Sequence, residues 1–143
     1  MATPYSVIDN SFLNKITDDL ILTMTDEEIQ DMIDSYRISA GAKFKQCNKL
    51  SDRDDDLRQY NQTLTDEEIE ILANLMVLEW LKPRINSIEV LKPSMSTKDY
   101  RTFSNAKHLD SLIKLKKETL AEIDSLIVSY TYSENNLNDL RKV

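Results

Sequence analysis

One glycine, one cysteine, one histidine and three prolines are all this chain of 143 residues has for sharp turns, cross-links and ligation. Sheet-rich folds need many tight turns, and turns draw on glycine and proline, so the shortage predicts long helices joined by few loops. A lone Cys47 excludes an intrachain disulfide and a cysteine-based zinc site. Lys43, Lys45 and Lys49 around it would lower its pKa, but without a partner base it reads as a structural thiol. A lone His108, beside Lys107 and Asp110, lacks the nucleophile and orienting acid of a catalytic histidine and reads as a surface or interface residue. The Gly-rich phosphate loop is missing, as are the Glu-x-x-His pairs of a di-iron bundle. No apolar run approaches the 18 residues of a membrane span. The opening Met1-Ala-Thr-Pro-Tyr5 has neither the basic nor the apolar region of a signal peptide, which predicts a reducing cytoplasm or a particle assembled there. The acidic run Asp52, Asp54, Asp55, Asp56 fails as a calcium loop. Leu57 stands where the glycine belongs and Thr63 where the bidentate glutamate belongs, so a solvated loop or helix start is expected. No catalytic residue, cofactor or metal is expected, and the chain reads as a non-enzyme.

What is present is globular. Apolar residues make up 41% and charged residues 30%, and a domain of this length hides roughly 68% of its unfolded surface, enough for a core without staples. The formal net charge of −7 opposes attraction to a phosphate backbone. It is unevenly spread. Asp18 to Asp34 holds seven acidic residues and no basic one, whereas Lys98 to Glu118 holds six basic against three acidic. Such halves either dock on copies of the chain or on a complementary partner, or are ordinary solvated helix faces.

Thr25-Asp-Glu-Glu28 and Thr65-Asp-Glu-Glu68 are capping boxes, in which the threonine hydroxyl accepts a first-turn amide and the glutamate reaches back to the cap amide. After the first, apolar residues recur at Ile29, Met32, Ile33, Tyr36, Ala40 and Phe44. Gly41 either weakens that helix or lets another element approach. After the second, Ile69, Leu72, Ala73, Met76 and Trp80 form a stripe that Ile71, Leu75 and Leu78 widen, as in the central helix of a bundle. Pro83 should end or kink this helix, and Ile85, Ile88 and Leu91 carry it onward to Pro93. The last stripe is Leu109, Leu112, Ile113, Leu120, Ile123, Leu126, Ile127 and Tyr130.

The expected fold is therefore all-α: a small bundle of three main helices near 25–46, 65–91 and 104–130, a short N-terminal helix and an extended C-terminal tail. In domain terms these are a lead-in (1–24), a bundle (25–130) and a tail (131–143). Asp9 or Asn10 would cap the short helix carrying Phe12, Leu13 and Ile16. Leu57 and Tyr60 would anchor the polar connection 48–63. The core should include Ile33, Tyr36, Met76, Trp80, Ile113 and Ile123.

The run Leu50-Ser-Asp-Arg-Asp-Asp-Asp-Leu-Arg-Gln-Tyr-Asn61, with Leu64-Thr-Asp-Glu-Glu-Ile-Glu-Ile-Leu-Ala73, Met76-Val-Leu-Glu-Trp-Leu81, Ser104-Asn-Ala-Lys-His-Leu109 and Tyr130-Thr-Tyr132, resembles the head-to-tail connector proteins of tailed bacteriophages. These are also called adaptor, neck or head-completion proteins. The resemblance covers about two thirds of the chain and holds no catalytic group. It implies a structural protein of the virion neck, made in the host cytoplasm. Such proteins form a homo-oligomeric ring, commonly of twelve copies, between the portal protein and the next neck or tail-completion protein. DNA would pass through the ring without specific binding, and no membrane is involved. The C-terminal segment of such proteins docks on the portal, a role that falls here on Tyr132, Leu137, Leu140 and Val143. Ring contacts would come from Asp26, Glu27 and Asp31 against Arg101, Lys107, Lys114 and Lys117. The alternative is a DNA-binding or packaging accessory protein that uses the basic face of the last helix.

Overall fold

The computed structural model describes residues 2–16, 22–91 and 99–141, with the side chains of 87–91, 99–106 and 134–141 left aside. Four helices carry the fold: α1 (Tyr5–Leu13), α2 (Asp26–Lys43), α3 (Asp66–Leu91) and α4 (Asp99–Arg141). A three-stranded antiparallel sheet of two-residue strands is added: β1 (Thr3–Pro4), β2 (Arg53–Asp54) and β3 (Gln59–Tyr60), in the order β1-β3-β2. Thr3 faces Tyr60 and Pro4 faces Gln59 across the β1–β3 pair. The domain is mostly helical with a minor sheet, as the composition requires. No described helix is long and apolar enough to cross a membrane.

Helix α3 is the hub, because its sequence is apolar around most of its circumference. Ile71, Leu72, Ala73, Leu75, Met76, Val77, Trp80 and Leu81 are all buried, and α1, α2 and α4 each pack against it. Pro83 does not end it; the helix runs on to Leu91. In the turn that the proline disturbs, the Arg84 guanidinium donates to the Trp80 carbonyl at 3.0 Å and lies over the Trp80 ring at 4.1 Å. The expected core residues Ile33, Met76, Trp80 and Ile123 are buried, whereas Tyr36 and Ile113 are half-buried.

Several boundaries differ from expectation, each for a physical reason. Helix α1 begins at Tyr5 with Pro4 as its cap residue, and neither Asp9 nor Asn10 caps it. Proline's fixed φ suits a helix entrance. Helix α2 ends at Lys43, three residues short of Gln46, where Phe44 leaves helical geometry and inserts into the core. Tyr60 anchors the 48–63 connection, but Leu57 sits at the tip of the β2–β3 turn and stays 67% exposed. The segment expected as an extended tail is helical: α4 passes Tyr130 without a break and ends at Arg141.

Gly41 lies inside α2 with space beside it, since a Cβ built there would come no closer than 4.0 Å to Leu50 Cδ1. The close-approach reading is thus excluded and the helix-weakening one stands. Gly41→Ala should stabilise the protein by about 0.5–1 kcal/mol. Ile123→Ala, on a buried side chain, should cost about 2–5 kcal/mol. Leu57→Ala should stay within about 0.5 kcal/mol of the parent. Urea unfolding of the three variants checks this ranking, and a Leu57 loss as large as the Ile123 loss would contradict it.

Candidate functional site

The two Thr-Asp-Glu-Glu-Ile segments fold differently after the same start. In α2 the Thr25 hydroxyl accepts from the Glu28 amide at 3.2 Å, and among the described residues only this half of the box is made. In α3 both halves form: Glu68 N donates to Thr65 Oγ1 at 3.2 Å, and Thr65 N donates to Glu68 Oε1 at 2.8 Å. The difference is tertiary. Glu28 is exposed, whereas Glu68 is 1% exposed and gathers donors from distant parts of the chain. Lys49 Nζ lies 2.9 Å from Oε1, while Cys47 Sγ at 3.0 Å and the Tyr130 hydroxyl at 2.9 Å address Oε2. Burial pushes the Glu68 carboxyl up, but these donors outweigh it and hold it at about 2. The Cys47 thiol moves the other way from the expectation drawn from its lysines. Burial and the hydrogen bond it gives to Glu68 raise it to about 11, so it is a donor and not a nucleophile.

A second polar assembly joins α1 to α2. Arg37, 3% exposed, donates Nε to Asp9 Oδ1 at 3.0 Å and Nη2 to Asp9 Oδ2 at 2.7 Å. The same Nη2 reaches Asp34 Oδ1 at 2.7 Å, and Arg58 grips both oxygens of Asp34 from the β2–β3 turn at 3.2 and 2.7 Å. Arg58 takes this position with φ of +53°, a left-handed conformation that non-glycine residues seldom adopt. Burial works to raise the Asp34 carboxyl, and the hydrogen bonds from Arg58, Arg37 and Gln30 bring it down to about 2. The acidic run after Asp52 is a turn: Asp54 accepts from the amides of Asp56 and Leu57, and Asp52 accepts from Asn61 and Gln62. Among the described residues no group of three or more His, Cys, Asp or Glu is arranged to hold a metal ion.

The residues singled out for docking lie on two surfaces. Asp26, Glu27 and Asp31 are exposed on the first turns of α2, where they also oppose the positive end of its dipole. On α4, Lys107, Lys114 and Lys117 are exposed. At about 100° per residue they fall in one arc of roughly 80°, and Val128 and Tyr132 fall in the same arc. Val128 and Tyr132 are each 68% exposed, opposite the buried stripe of Leu109, Leu112, Ile123 and Tyr130. The structure brings the lysines together on one face; no described ion pair joins Asp26, Glu27 or Asp31 to Lys114 or Lys117. His108 is exposed. Val128, four residues before Tyr132, lies off the apolar stripe that the spacing predicts, and its helical spacing from Tyr132 is the signal that marks it. Val143 and the side chains of Arg101, Leu137 and Leu140 lie outside the described residues. No protein-family model, curated protein or solved structure matches the chain.

The Glu68 and Asp34 carboxyls sit below their ordinary values of 4.5 and 3.8. A depressed carboxyl contributes stability that is complete above the unfolded value and is lost as pH falls through the folded one. The urea midpoint should therefore drop between about pH 4.5 and pH 2. Glu68→Gln should be less stable near neutrality and show a shallower acid limb. An acid limb that superimposes on that of the parent would refute the assignment.

Proposed function

We propose that this protein is a structural connector that forms a ring between the portal of a phage head and the next neck or tail component. The observation that supports this best is that α4 continues as a helix past Tyr130 and carries Tyr132 68% exposed. Tyr130 is the last buried side chain among those described, and the helix continues to Arg141, about 16 Å further at 1.5 Å per residue. A helix that presents an exposed tyrosine in this stretch is suited to a groove on another protein, the helix-in-groove mode of recognition. Because its backbone is already helical, less ordering entropy is lost on docking than an extended tail would lose. Tyr132, Leu137, Leu140 and Val143 are the candidate anchors on the portal. In the ring, the acidic turns of α2 (Asp26, Glu27, Asp31) would meet the lysine face of α4 (Lys107, Lys114, Lys117) of the next copy. Such a head-to-tail contact closes when its rotation closes. The net charge of −7 suits a channel through which DNA slides without sticking.

The second reading, a DNA-binding or packaging accessory protein, draws on one observation: the shared arc of Lys107, Lys114 and Lys117. It predicts duplex binding that weakens steeply with salt and is lost in Lys114→Gln/Lys117→Gln.

Deleting residues 134–143 separates the readings, because it leaves Tyr130 and the core in place. The connector reading expects a melting temperature within about 2 °C of the parent, since no described core contact is removed. It also expects attachment to portal-containing heads to be abolished. Undiminished attachment of the shortened chain would reject the docking role. Salt-sensitive duplex binding by the intact chain would favour the second reading.

A further inference from the structure

Between α2 and the β2–β3 turn lies a cleft of about 110 Å³, floored by Tyr5 and Tyr60 and bordered by Asp34, Arg37, Arg53 and Arg58. Its charges are matched: Arg37, Arg53 and Arg58 stand against Asp9, Asp34 and Asp55. Its hydrogen-bonding groups are not. A guanidinium has five N–H donors and no acceptor. Arg37 uses Nε and Nη2 on Asp9 and Asp34, and its Nη1 donates to nothing among the described residues. Arg53 comes no closer to Asp55 than 3.5 Å, from Nε, and Asp55 Oδ1 already takes the Tyr5 hydroxyl at 2.6 Å. Tyr60 is 2% exposed, its ring stacked edge-on against Tyr5 at 5.0 Å, and its hydroxyl is bonded to nothing among the described residues.

These two unspent donors sit on side chains more than nine-tenths buried, yet neither is sealed in. Every enclosed side-chain nitrogen and oxygen among the described residues has a partner. Arg37 Nη1 and Tyr60 Oη therefore keep access; both residues border this cleft, and Tyr60 and Arg53 also border a neighbouring one beside Gly41, Phe44 and Leu50.

We infer that this cleft is a binding site for a single carboxylate group. A group that only accepts hydrogen bonds completes the set, whereas an amide, hydroxyl or ammonium would bring further donors to a place already rich in them. The flat fork of a carboxylate matches the guanidinium of Arg53, which has the least engaged donors. A phosphate dianion would add a second charge facing Asp34 and Asp55, so a monoanion is preferred. The carboxylate is either a small free ion or an acidic side chain or chain end presented by a partner protein. The inference does not depend on the connector reading.

The test is a titration of the full chain with sodium acetate at constant ionic strength, balanced with chloride and followed by NMR at the Tyr60 ring and Arg37 Nε. Saturable shifts centred on Tyr5, Arg37 and Tyr60 are expected. Tyr60→Phe keeps the stacked ring and removes only the hydroxyl, so acetate affinity should fall about tenfold, as for loss of a hydrogen bond to a charged group. Arg53→Gln, on an exposed and readily replaced side chain, should weaken acetate as well. Inorganic phosphate at the same ionic strength should bind more weakly than acetate. A capped aspartyl dipeptide that binds tighter than acetate identifies a partner-borne carboxylate, and the reverse order identifies a free ion. Shifts that rise linearly without saturation, unchanged affinity in both variants, or preference for phosphate would each overturn the assignment.

Discussion

Glu68 is a full carboxylate held out of water, and its environment decides how the three long helices meet. Its donors come from the α3 cap (Thr65 N), the segment after α2 (Cys47 and Lys49) and the last third of α4 (Tyr130). A buried carboxylate costs several kcal/mol unless such donors surround it, so the three segments must arrive together for any of them to be stable there. Tyr130 adds a second constraint, because its ring packs edge-on against Phe44 at 5.4 Å. The hydroxyl fixes α4 along its axis and the ring fixes it against the end of α2. The apolar stripes alone would allow α4 to slide by a turn along α3; this one hydrogen-bonded contact does not.

The Asp9–Arg37 pair plays the corresponding part for α1. A charge on the Tyr5–Ile8–Phe12 face and a charge on the Ile33–Ala40 face neutralise each other inside the protein. The Tyr5 ring lies against the Arg37 guanidinium at 4.2 Å, so the pair is closed on one side by an aromatic face. Truncating either partner leaves the other charged and buried, which is why such pairs resist single substitution more than their net contribution suggests.

The helices were legible because their signals are local. Capping boxes at Thr25 and Thr65 and period-3.6 stripes place α2 and α3 to within a few residues, and the near-continuous apolar surface of 69–81 marks α3 as the hub. Non-local features were harder to read. Thr25-Asp-Glu-Glu-Ile29 and Thr65-Asp-Glu-Glu-Ile69 are the same five residues, and only tertiary packing makes Glu68 a buried junction and leaves Glu28 in water. Local spacing offers Asp9 or Asn10 as a helix cap, although the place of Asp9 beside Ile8 and Phe12 on an apolar face is itself a signal that a buried cation must face it. Arg37, between Ile33 and Ala40, is that cation. The end of α4 is not legible from its sparse apolar residues, which suggest loss of helix, whereas Thr131 to Arg141 contains no glycine or proline to stop it. For the surfaces, the lysine face of α4 follows from spacing alone. The cleft at Tyr60 does not, since it joins residues up to 55 positions apart and depends on which donors the fold leaves unspent.

The central place of α3 has a consequence for synthesis. Most of what α1 and α2 bury is buried against a helix that begins only at Asp66. A ribosome adding about 5–20 residues per second releases both of them first. Phe12, Phe44 and the Asp9–Arg37 pair then lack the α3 surface against which their elements pack until that helix has emerged. Even β1, at the very start, waits for Gln59 and Tyr60 to pair with. The first half of this chain is therefore carried as an acidic, unpacked nascent segment until α3 is delivered, and the Glu68 junction closes only when Tyr130 of α4 follows.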